Sequence, residues 1–297
     1  MVTVAVVGTG RMGSAMARAL ARGGSTLILH NRTLDRCVPL AAELGARVAE
    51  TPAAAAAEAD VAITMLADGA AVASVWAGED GLLAGAHPGA VLIDMSTVPP
   101  STLHPFEARA RASGAGILDA PVSGSTALAE SGSLTIMAGG EAADLERARP
   151  VLDQLARQVF HMGPLGSGSA MKLAVNTMIF GLNNTLAEAL VLAERAGVDR
   201  ALAYEVIANS AAGAPFVGYK RDAFLDPDGT PTAFSLALAE KDLRLITELA
   251  GSVGVELPQA MTNLELIRDA AREMGADRDF SAVAVHLRGR TKGGVPG

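Results

Sequence analysis

The residues Gly8-Thr9-Gly10-Arg11-Met12-Gly13 decide the fold of this chain. They follow an apolar run at Val4–Val7 and precede an amphipathic, Ala-rich segment at Ala15–Arg22. Between a strand and a helix, glycines at the spacing G-x-G-x-x-G allow a tight turn and let a pyrophosphate approach backbone N–H groups at the helix N-terminus. A glycine-rich turn without a ligand is the alternative. The position of the motif after a strand favours a dinucleotide site.

Short apolar runs alternate with helical stretches up to Gly163, and the remainder of the chain is predicted to be helical. Strands that are apolar throughout are expected where helices cover both faces of a parallel sheet. The pattern therefore predicts an α/β fold, with an N-terminal Rossmann-type, doubly wound and mostly parallel sheet and an all-helical C-terminal domain. The predicted strands are Thr3–Val7, Thr26–His30, Val61–Met65, Val91–Asp94, Ile117–Asp119, Leu134–Met137 and Val159–Met162.

A Gly-rich loop at residues 163–168 separates the two patterns. We expect a cofactor-binding domain at residues 1–163, a helical substrate and dimerisation domain at 164–287, and a polar, disordered tail at 288–297. A long interdomain helix is predicted from Ser169 to Arg195. Its predicted packing stripe consists of Met171, Val175, Met178, Leu182, Leu186 and Leu190.

The composition of the 297 residues excludes several classes of function. With 24 basic and 32 acidic side chains, the net charge of −8 argues against a nucleic-acid or membrane partner. No run approaches about 20 uninterrupted apolar residues, and no targeting leader is evident. The only cysteine, Cys37, needs no oxidising compartment, so we expect a cytoplasmic protein. The five histidines lack metal-ligand spacing, and no metal is expected.

The turn after the second predicted strand bears on the choice of cofactor. NAD-preferring folds place Asp or Glu there to bind the ribose hydroxyls, whereas this chain has Asn31-Arg32-Thr33. Arg32 can pair with a 2′-phosphate, and Asn31 or Thr33 can donate further hydrogen bonds. The turn therefore favours NADP(H) over NAD(H), with a solvated surface arginine as the alternative.

Lys172 and Asn176 lie one helical turn apart at the start of the predicted long helix. An ammonium group at such a position can give a proton to a substrate oxygen as hydride reaches the adjacent carbon, and the neutral amine can take it back. Asn176 can orient the lysine or the same oxygen. An exposed helix lysine without a catalytic role is the alternative.

Two loops with small polar residues follow predicted strands, at Asp94-Met95-Ser96-Thr97 and at Asp119–Ser125. Ligands of open α/β sheets bind outside the carboxyl ends of the strands, so both loops are placed to meet one. Ser123, Ser125 and the backbone N–H of Gly124 suit a carboxylate, although ordinary turn residues would look the same.

Five motifs occur in order along the chain: residues 8–13 with Met16-Ala17, Asp94-Met95-Ser96-Thr97, Asp119–Gly124, Gly168–Asn176 and Lys241-Asp242-Leu243. Together they resemble the β-hydroxyacid dehydrogenase family, over about Val4 to Leu287. This family includes 3-hydroxyisobutyrate dehydrogenases, tartronate semialdehyde reductases and glyoxylate/succinic semialdehyde reductases, and the resemblance implies a 6-phosphogluconate dehydrogenase-like C-terminal domain. The Asn31-Arg32-Thr33 turn and the Pro121–Ser125 loop look most like the NADPH-dependent glyoxylate/succinic semialdehyde reductases.

The resemblance also implies roles for individual residues. Lys172 is the implied proton donor and acceptor, and Asn176 is its helper. The implied cofactor-binding residues are Gly8, Gly10, Arg11, Met12, Gly13, Asn31, Arg32, Thr33, Met65, Leu66, Thr97 and Lys241. The implied substrate-binding residues are Ser123, Gly124, Ser125, Phe234 and Asp242.

The function implied is interconversion of a small aldehyde acid and its hydroxy acid, of the glyoxylate, succinic semialdehyde or 3-hydroxyisobutyrate type. Two alternatives stay open: an imine reductase on the same fold, and a non-catalytic NADP-binding interaction module. The segment Ser125–Gly132 lacks the second glycine and the Gly-Ala pair that many members carry, which leaves the dehydrogenase subtype open. A homodimer or homotetramer is expected, because family members are usually oligomeric and the helical half offers much apolar surface.

Overall fold

The structure is a computed structural model that describes residues 2–290. Across this range the chain forms one nine-stranded sheet and thirteen α-helices. The strands are β1 (Thr3–Val7), β2 (Thr26–His30), β3 (Arg47–Val48), β4 (Val61–Thr64), β5 (Val91–Asp94), β6 (Gly116–Asp119), β7 (Val122–Ser123), β8 (Leu134–Gly140) and β9 (Ala156–Gly163).

The helices surround the sheet in the first part of the chain and make up nearly all of the second part. They are α1 (Arg11–Arg22), α2 (Val38–Leu44), α3 (Pro52–Ala56), α4 (Gly69–Trp76), α5 (His104–Ala112), α6 (Thr126–Glu130), α7 (Ala142–Leu155), α8 (Ser167–Arg195), α9 (Arg200–Ala208), α10 (Pro215–Leu225), α11 (Leu236–Ser252), α12 (Pro258–Met274) and α13 (Val283–Arg290).

The sheet has the strand order β3-β2-β1-β4-β5-β6-β8-β7, and β9 pairs with β8. The strands from β3 to β6 run parallel, whereas β8 is antiparallel to both β6 and β7. The strand order reverses between β1 and β4, and such a switch point creates a crevice at the carboxyl ends of the strands. The predicted α/β fold class, with its mostly parallel sheet, is confirmed.

The sheet is buried on both faces, which explains why its strands are apolar throughout. Val4 and Val6 of β1 belong to one hydrophobic cluster, while Ala5 and Val7 belong to another. Successive side chains of a strand point to opposite faces, so these clusters are the two cores of a doubly wound domain. No described helix in residues 2–290 is long and apolar enough to cross a bilayer.

The chain divides into two compact units, Met1–Lys172 and Leu173–Gly297, and the division falls inside α8. The second unit has a hydrophobic core of its own, drawn from α8 to α13. Tyr204 and Phe224 pack in this core with their ring centroids 6.1 Å apart, and the Tyr204 hydroxyl donates to the Val217 carbonyl. This core contains no strand among its described residues, as the sequence predicted.

The predicted packing stripe of α8 is wrong at two of its positions. Met171 and Met178 are exposed, Met178 to 70%, whereas Leu186 and Leu190 are buried as predicted. The buried face includes Asn183 instead, whose amide nitrogen donates to the Phe280 carbonyl at 3.1 Å. Apolar periodicity misses such a residue because an amide can be buried once it is hydrogen-bonded.

The predicted disordered tail is wrong for its first three residues. Helix α13 continues through Arg290, and the Arg288 guanidinium binds the Glu194 carboxylate with Nε and Oε2 2.8 Å apart. Basic side chains also suit the C-terminal end of a helix, where the carbonyl dipoles are negative. The remainder of the predicted tail, residues 291–297, lies outside the described residues.

Candidate active site

Each of the three motif glycines has a different structural role. Gly8 has φ +102°, and an added Cβ would lie 2.4 Å from the Met65 carbonyl oxygen. A Cβ on Gly13 would lie 2.0 Å from the Gly8 carbonyl oxygen, so this residue permits the close packing of α1 on the turn. A Cβ on Gly10 would meet nothing within 4 Å. Gly10 therefore leaves open space beside the start of α1, as a bound pyrophosphate requires.

Helix α1 begins immediately after this open space. Gly10 is its N-cap residue, and no side chain of the cap accepts a hydrogen bond from the first turn. The first N–H groups of a helix have no intrahelical acceptor, and the helix dipole favours an anion there. The open space at Gly10 and the uncapped helix start fit the pyrophosphate of a dinucleotide.

The end of β2 lies beside the glycine turn, because the Gly8 N–H donates to the His30 carbonyl at 2.8 Å. The Asn31 amide nitrogen then donates to the Thr33 carbonyl at 3.0 Å. Arg32 and Arg36 are exposed, and within residues 2–290 neither guanidinium forms an ion pair or a side-chain hydrogen bond. Arg36 was not predicted, although the sequence shows it as a second basic residue shortly after the second strand, where the structure has a 3-10 turn.

Met65 and Leu66 follow β4 and face the glycine turn, and the loop after β5 holds them in place. The Leu66 N–H donates to the Ser96 hydroxyl oxygen at 2.8 Å, and Ser96 donates to Asp94 Oδ1 at 2.8 Å. The Thr64 hydroxyl donates to the same oxygen at 2.6 Å. The structure thus brings the predicted residues Gly8, Met65 and Leu66 together, whereas Thr97 follows Ser96 on the β5 loop and is half-buried.

Asp94 itself is a buried carboxyl group with an incomplete set of partners. Burial raises its pKa to about 6, while the hydrogen bonds from Thr64 and Ser96 oppose that shift. Its second oxygen, Oδ2, has no hydrogen-bond partner in residues 2–290. Through Ser96, this buried side chain supports the Met65-Leu66 loop.

Asp119, which ends β6, is also turned inward. Its Oδ1 accepts the Gly166 N–H at 2.7 Å, and its Oδ2 accepts the Ser169 N–H at 2.6 Å. Burial raises the pKa of Asp119, and the two backbone N–H groups oppose the shift. This aspartate fastens the start of α8, the helix that carries Lys172.

The loop that follows Asp119 contains the predicted substrate-binding residues. Ser123 is half-buried in β7, which pairs with β8. Gly124 has φ +144°, and an added Cβ would lie 2.8 Å from Leu134 Cδ2. The Ser125 hydroxyl oxygen accepts the Leu128 N–H at 3.3 Å and caps α6, which leaves its proton available to donate.

Lys172 and Asn176 are four residues apart on α8, as predicted, so they lie on the same side of the helix. Lys172 is half-buried, and Asn176 is buried. The Asn176 amide nitrogen donates to Asp242 Oδ2 at 2.8 Å. Because a carboxylate is an acceptor only, this bond fixes which side of the amide carries the oxygen.

Lys241 and Asp242 lie on α11. The Lys241 ammonium contacts Asp242 Oδ1 at 2.8 Å, so the Asp242 carboxylate holds both the Lys241 ammonium and the Asn176 amide. Asp242 is 1% exposed. The structure therefore groups three of the predicted residues: Asn176, Lys241 and Asp242.

Phe234 precedes α11 and packs against aromatic rings that the sequence analysis did not single out. Its ring centroid lies 5.5 Å from that of Phe280 and 6.2 Å from that of Phe180, a residue of α8. The Phe234 N–H donates to Asp279 Oδ2 at 3.2 Å, and Asp279 also binds the buried Lys220 ammonium at 2.7 Å. A buried ion pair thus holds the backbone of a predicted substrate residue.

The predicted site residues are divided between the two units. The glycine turn, the β2 turn, the loops after β4, β5 and β6, and Lys172 belong to the unit Met1–Lys172, whereas Asn176, Phe234, Lys241 and Asp242 belong to Leu173–Gly297. No group of three or more His, Cys, Asp or Glu side chains suitable for a metal ion occurs among the described residues.

Two protein-family models together match almost the whole chain. The NAD binding domain of 6-phosphogluconate dehydrogenase matches residues 3–163. The NAD-binding domain of NADP-dependent 3-hydroxyisobutyrate dehydrogenase matches residues 166–287.

Individual proteins are similar over most of their length. The glyoxylate/succinic semialdehyde reductase 2 of Arabidopsis thaliana is 35% identical over 287 residues, which cover 97% of this chain and 80% of that protein. The NAD-dependent L-serine dehydrogenase of Pseudomonas aeruginosa is 34% identical over 95% of this chain and 97% of that protein. The solved structure of Mycobacterium tuberculosis 3-hydroxyisobutyrate dehydrogenase with L-serine is 33% identical, with a TM-score of 0.84 and coverage of 97% and 99% of the two chains. The chain therefore belongs to the β-hydroxyacid dehydrogenase family of NAD(P)-dependent oxidoreductases.

Proposed function

We propose that the protein interconverts a small aldehyde acid and its hydroxy acid with NADP(H), and that Lys172 moves the proton. The observation that carries this proposal is the arrangement on α8, where Lys172 is followed one turn later by Asn176, whose amide is fixed by Asp242. A relative named as a glyoxylate/succinic semialdehyde reductase supports the same reaction class.

The turn after β2 supports NADP(H) over NAD(H). Asn31 stands where a carboxylate would repel a 2′-phosphate, and the Arg32 and Arg36 guanidinium groups make no ion pair within the described chain. Guanidinium groups bind phosphate through charge-assisted hydrogen bonds. Both arginines are therefore proposed to bind the 2′-phosphate, and the open space at Gly10 to admit the pyrophosphate.

The mechanism assigns each remaining group a task. The Ser123 and Ser125 hydroxyls and the Gly124 N–H bind the substrate carboxylate. The Lys172 ammonium donates a proton to the carbonyl oxygen during reduction, and the neutral amine accepts it during oxidation. When bound, NADPH supplies the hydride. The Asn176 amide oxygen accepts a hydrogen bond from the lysine or the substrate hydroxyl, because its nitrogen is held by Asp242.

The decisive experiment follows oxidation of NADPH and NADH by the purified protein with glyoxylate, succinic semialdehyde, methylmalonate semialdehyde and tartronate semialdehyde. Lys172→Ala should lower kcat by about 10²–10⁴-fold, the usual contribution of a general acid, with NADPH binding nearly unchanged. Arg157→Ala, which removes an exposed cation from β9, is the matched control and should retain wild-type turnover. Equal losses of turnover and NADPH binding in Lys172→Ala would refute the assigned role.

Two outcomes would replace this proposal by one of the alternatives. Turnover of a cyclic imine, with none on the aldehyde acids, would identify an imine reductase. Tight NADPH binding without turnover of any carbonyl substrate would identify a non-catalytic interaction module.

We also propose a homodimer or homotetramer in the cytoplasm, with a cofactor-binding domain at residues 1–163 and a substrate domain at 164–287. Exposed apolar side chains in the second unit support self-association: Leu192 is 72% exposed, Leu202 59% and Val206 60%. Size-exclusion chromatography with light scattering should give a multiple of 30.1 kDa. A monomer at micromolar concentration would overturn this part.

A further inference from the structure

Asp119 is placed to control the position of Lys172. It is the last residue of β6 and is 1% exposed. Each of its carboxylate oxygens accepts one backbone N–H from the start of α8: Oδ1 from Gly166 at 2.7 Å and Oδ2 from Ser169 at 2.6 Å. These partners lie 47 and 50 residues further along the chain.

This carboxylate takes the place of a local helix cap. The Ala170 N–H donates to the Gly166 carbonyl at 3.0 Å, so Gly166 occupies the N-cap position of α8. N-cap residues normally satisfy a first-turn N–H with their own side-chain oxygen, and glycine has none. Asp119 supplies the missing acceptor from another element and thereby ties the helix start to β6.

Close backbone packing holds the same end of α8. A Cβ on Gly168 would lie 2.2 Å from the Met137 carbonyl oxygen and 2.7 Å from that of Asp119. A Cβ on Gly139 of β8 would lie 2.4 Å from Asp119 Oδ1. The first turn of α8 therefore rests directly on β6 and β8, with the carboxylate between them.

Lys172 follows Ser169 by three residues, about 4.5 Å further along the helix axis at 1.5 Å per residue. On its other side, Asp119 continues directly into the Ala120–Ser125 loop, and the Ala120 N–H donates to the Asp94 carbonyl at 2.7 Å. The aspartate thus joins the loop proposed to bind the substrate carboxylate to the helix that carries the lysine.

We propose that Asp119 is a positioning residue, whose two hydrogen bonds to the start of α8 set the distance between the Lys172 ammonium and a substrate held by the Ser123–Ser125 loop. This inference rests on the proposed role of Lys172. In this role Asp119 acts through the backbone of α8, because its oxygens accept the Gly166 and Ser169 N–H groups.

The test is Asp119→Asn in the full-length protein. The amide group keeps one acceptor but turns a donor toward the second N–H, so the start of α8 must move. A displacement of about 1 Å at a reacting group can cost about 10²-fold in rate, and we expect kcat to fall by about that factor with the Kd for NADPH unchanged. NADPH-binding stoichiometry reports the folded fraction, so a loss of folded protein is separated from a loss of kcat.

Asp144→Asn is the matched control. Asp144 is also buried in the first unit, and it accepts the Ile117 N–H near the opposite end of β6 while binding Arg111 and Arg147. The Asp144→Asn substitution should lower thermal stability without lowering kcat per NADPH-binding site. Equal falls in kcat for both aspartates would overturn the proposal, because general destabilisation would then explain them.

A double variant tests whether Asp119 acts through the lysine. In a Lys172→Ala background, Asp119→Asn should produce no further loss of turnover, since there is no ammonium left to position. The same fold-loss in both backgrounds would overturn the inference. If Lys172→Ala alone leaves turnover unchanged, the proposed function has failed at an earlier and separate step.

Asp119→Glu keeps the proposal testable if the asparagine variant does not fold. It retains the charge and both acceptors and displaces them by one methylene, about 1.5 Å. We expect a fall in kcat with unchanged NADPH binding here too. A kcat within twofold of wild type would overturn the proposal.

Discussion

Replacing the Asp94 carboxyl group with an amide should stabilise the folded protein above about pH 6. The carboxyl group is fully buried, and burial raises its pKa from 3.8 to about 6. The folded state therefore binds this proton more tightly than the unfolded state does. In Asp94→Asn the retained oxygen still accepts from Thr64 and Ser96, so the network toward the Met65-Leu66 loop keeps both hydrogen bonds.

The sign and size of the effect follow from linkage. Because the pKa of the folded state is the higher one, the contribution of Asp94 is fully present below about pH 4 and is lost as the pH rises to about 6. A shift of roughly 2 pKa units corresponds to about 3 kcal/mol in the free energy of unfolding. The new amide nitrogen would take the Oδ2 position, which has no partner in residues 2–290, and such a group costs about 1–3 kcal/mol. The expected net gain at pH 8 is about 1 kcal/mol.

The assay is thermal unfolding, followed by far-ultraviolet circular dichroism, of wild type and Asp94→Asn at several values between pH 5 and pH 8. For a unit of this size 1 kcal/mol corresponds to about 2–4 °C in Tm. The comparison uses the difference between the two proteins, because other groups titrate equally in both. A Tm difference between the two proteins that does not change with pH would refute the reasoning. A variant whose Tm falls further below that of wild type at pH 8 than at pH 5 would refute it as well.

Three further predictions concern other parts of the molecule. Gly10→Ala should retain the wild-type Tm and weaken NADPH binding at least tenfold, whereas Gly13→Ala should lower the Tm because its Cβ meets backbone. Calorimetry measures the Tm and fluorescence titration measures NADPH binding, so the two effects are separated. Cys37 is fully buried and burial raises its pKa, so Ellman's reagent should label it only after denaturation; labelling of the native protein would contradict the burial. Lys220→Met should lower the stability of the second unit by about 3 kcal/mol by leaving Asp279 buried without its cation; an unchanged urea midpoint would show that the backbone donors suffice.

The sequence predicted those parts of the fold that local patterns encode. The glycine turn and the strands β1, β2 and β5 lie at the predicted residues, because apolar runs and turn residues report directly on the local backbone. The two-residue strands β3 and β7 were missed, since a period of two cannot be recognised in two residues. They exist only because neighbouring strands pair with them.

The candidate site, too, could be predicted only where local spacing in the sequence encodes it. Lys172 and Asn176 were predicted from their spacing, but nothing local indicates that Asp242, 66 residues from Asn176, fixes the amide. The loops that contain Asp94 and Asp119 were expected to meet a ligand, but the partners of these two carboxyl groups were not predicted. Their oxygens accept hydrogen bonds from Thr64, Ser96 and the start of α8. Long-range hydrogen bonds of this kind leave no periodic signal in a sequence.

The single tryptophan gives the molecule an intrinsic optical reporter. Trp76 is fully buried, and its indole N–H donates at 3.1 Å to the Thr64 hydroxyl, which in turn donates to Asp94. Ionisation of that carboxyl group changes the electric field at the indole ring, and no second tryptophan contributes to the emission. The emission wavelength of the unlabelled, unmodified protein should therefore shift as this buried carboxyl group, next to the loop that faces the glycine turn, gains or loses its charge.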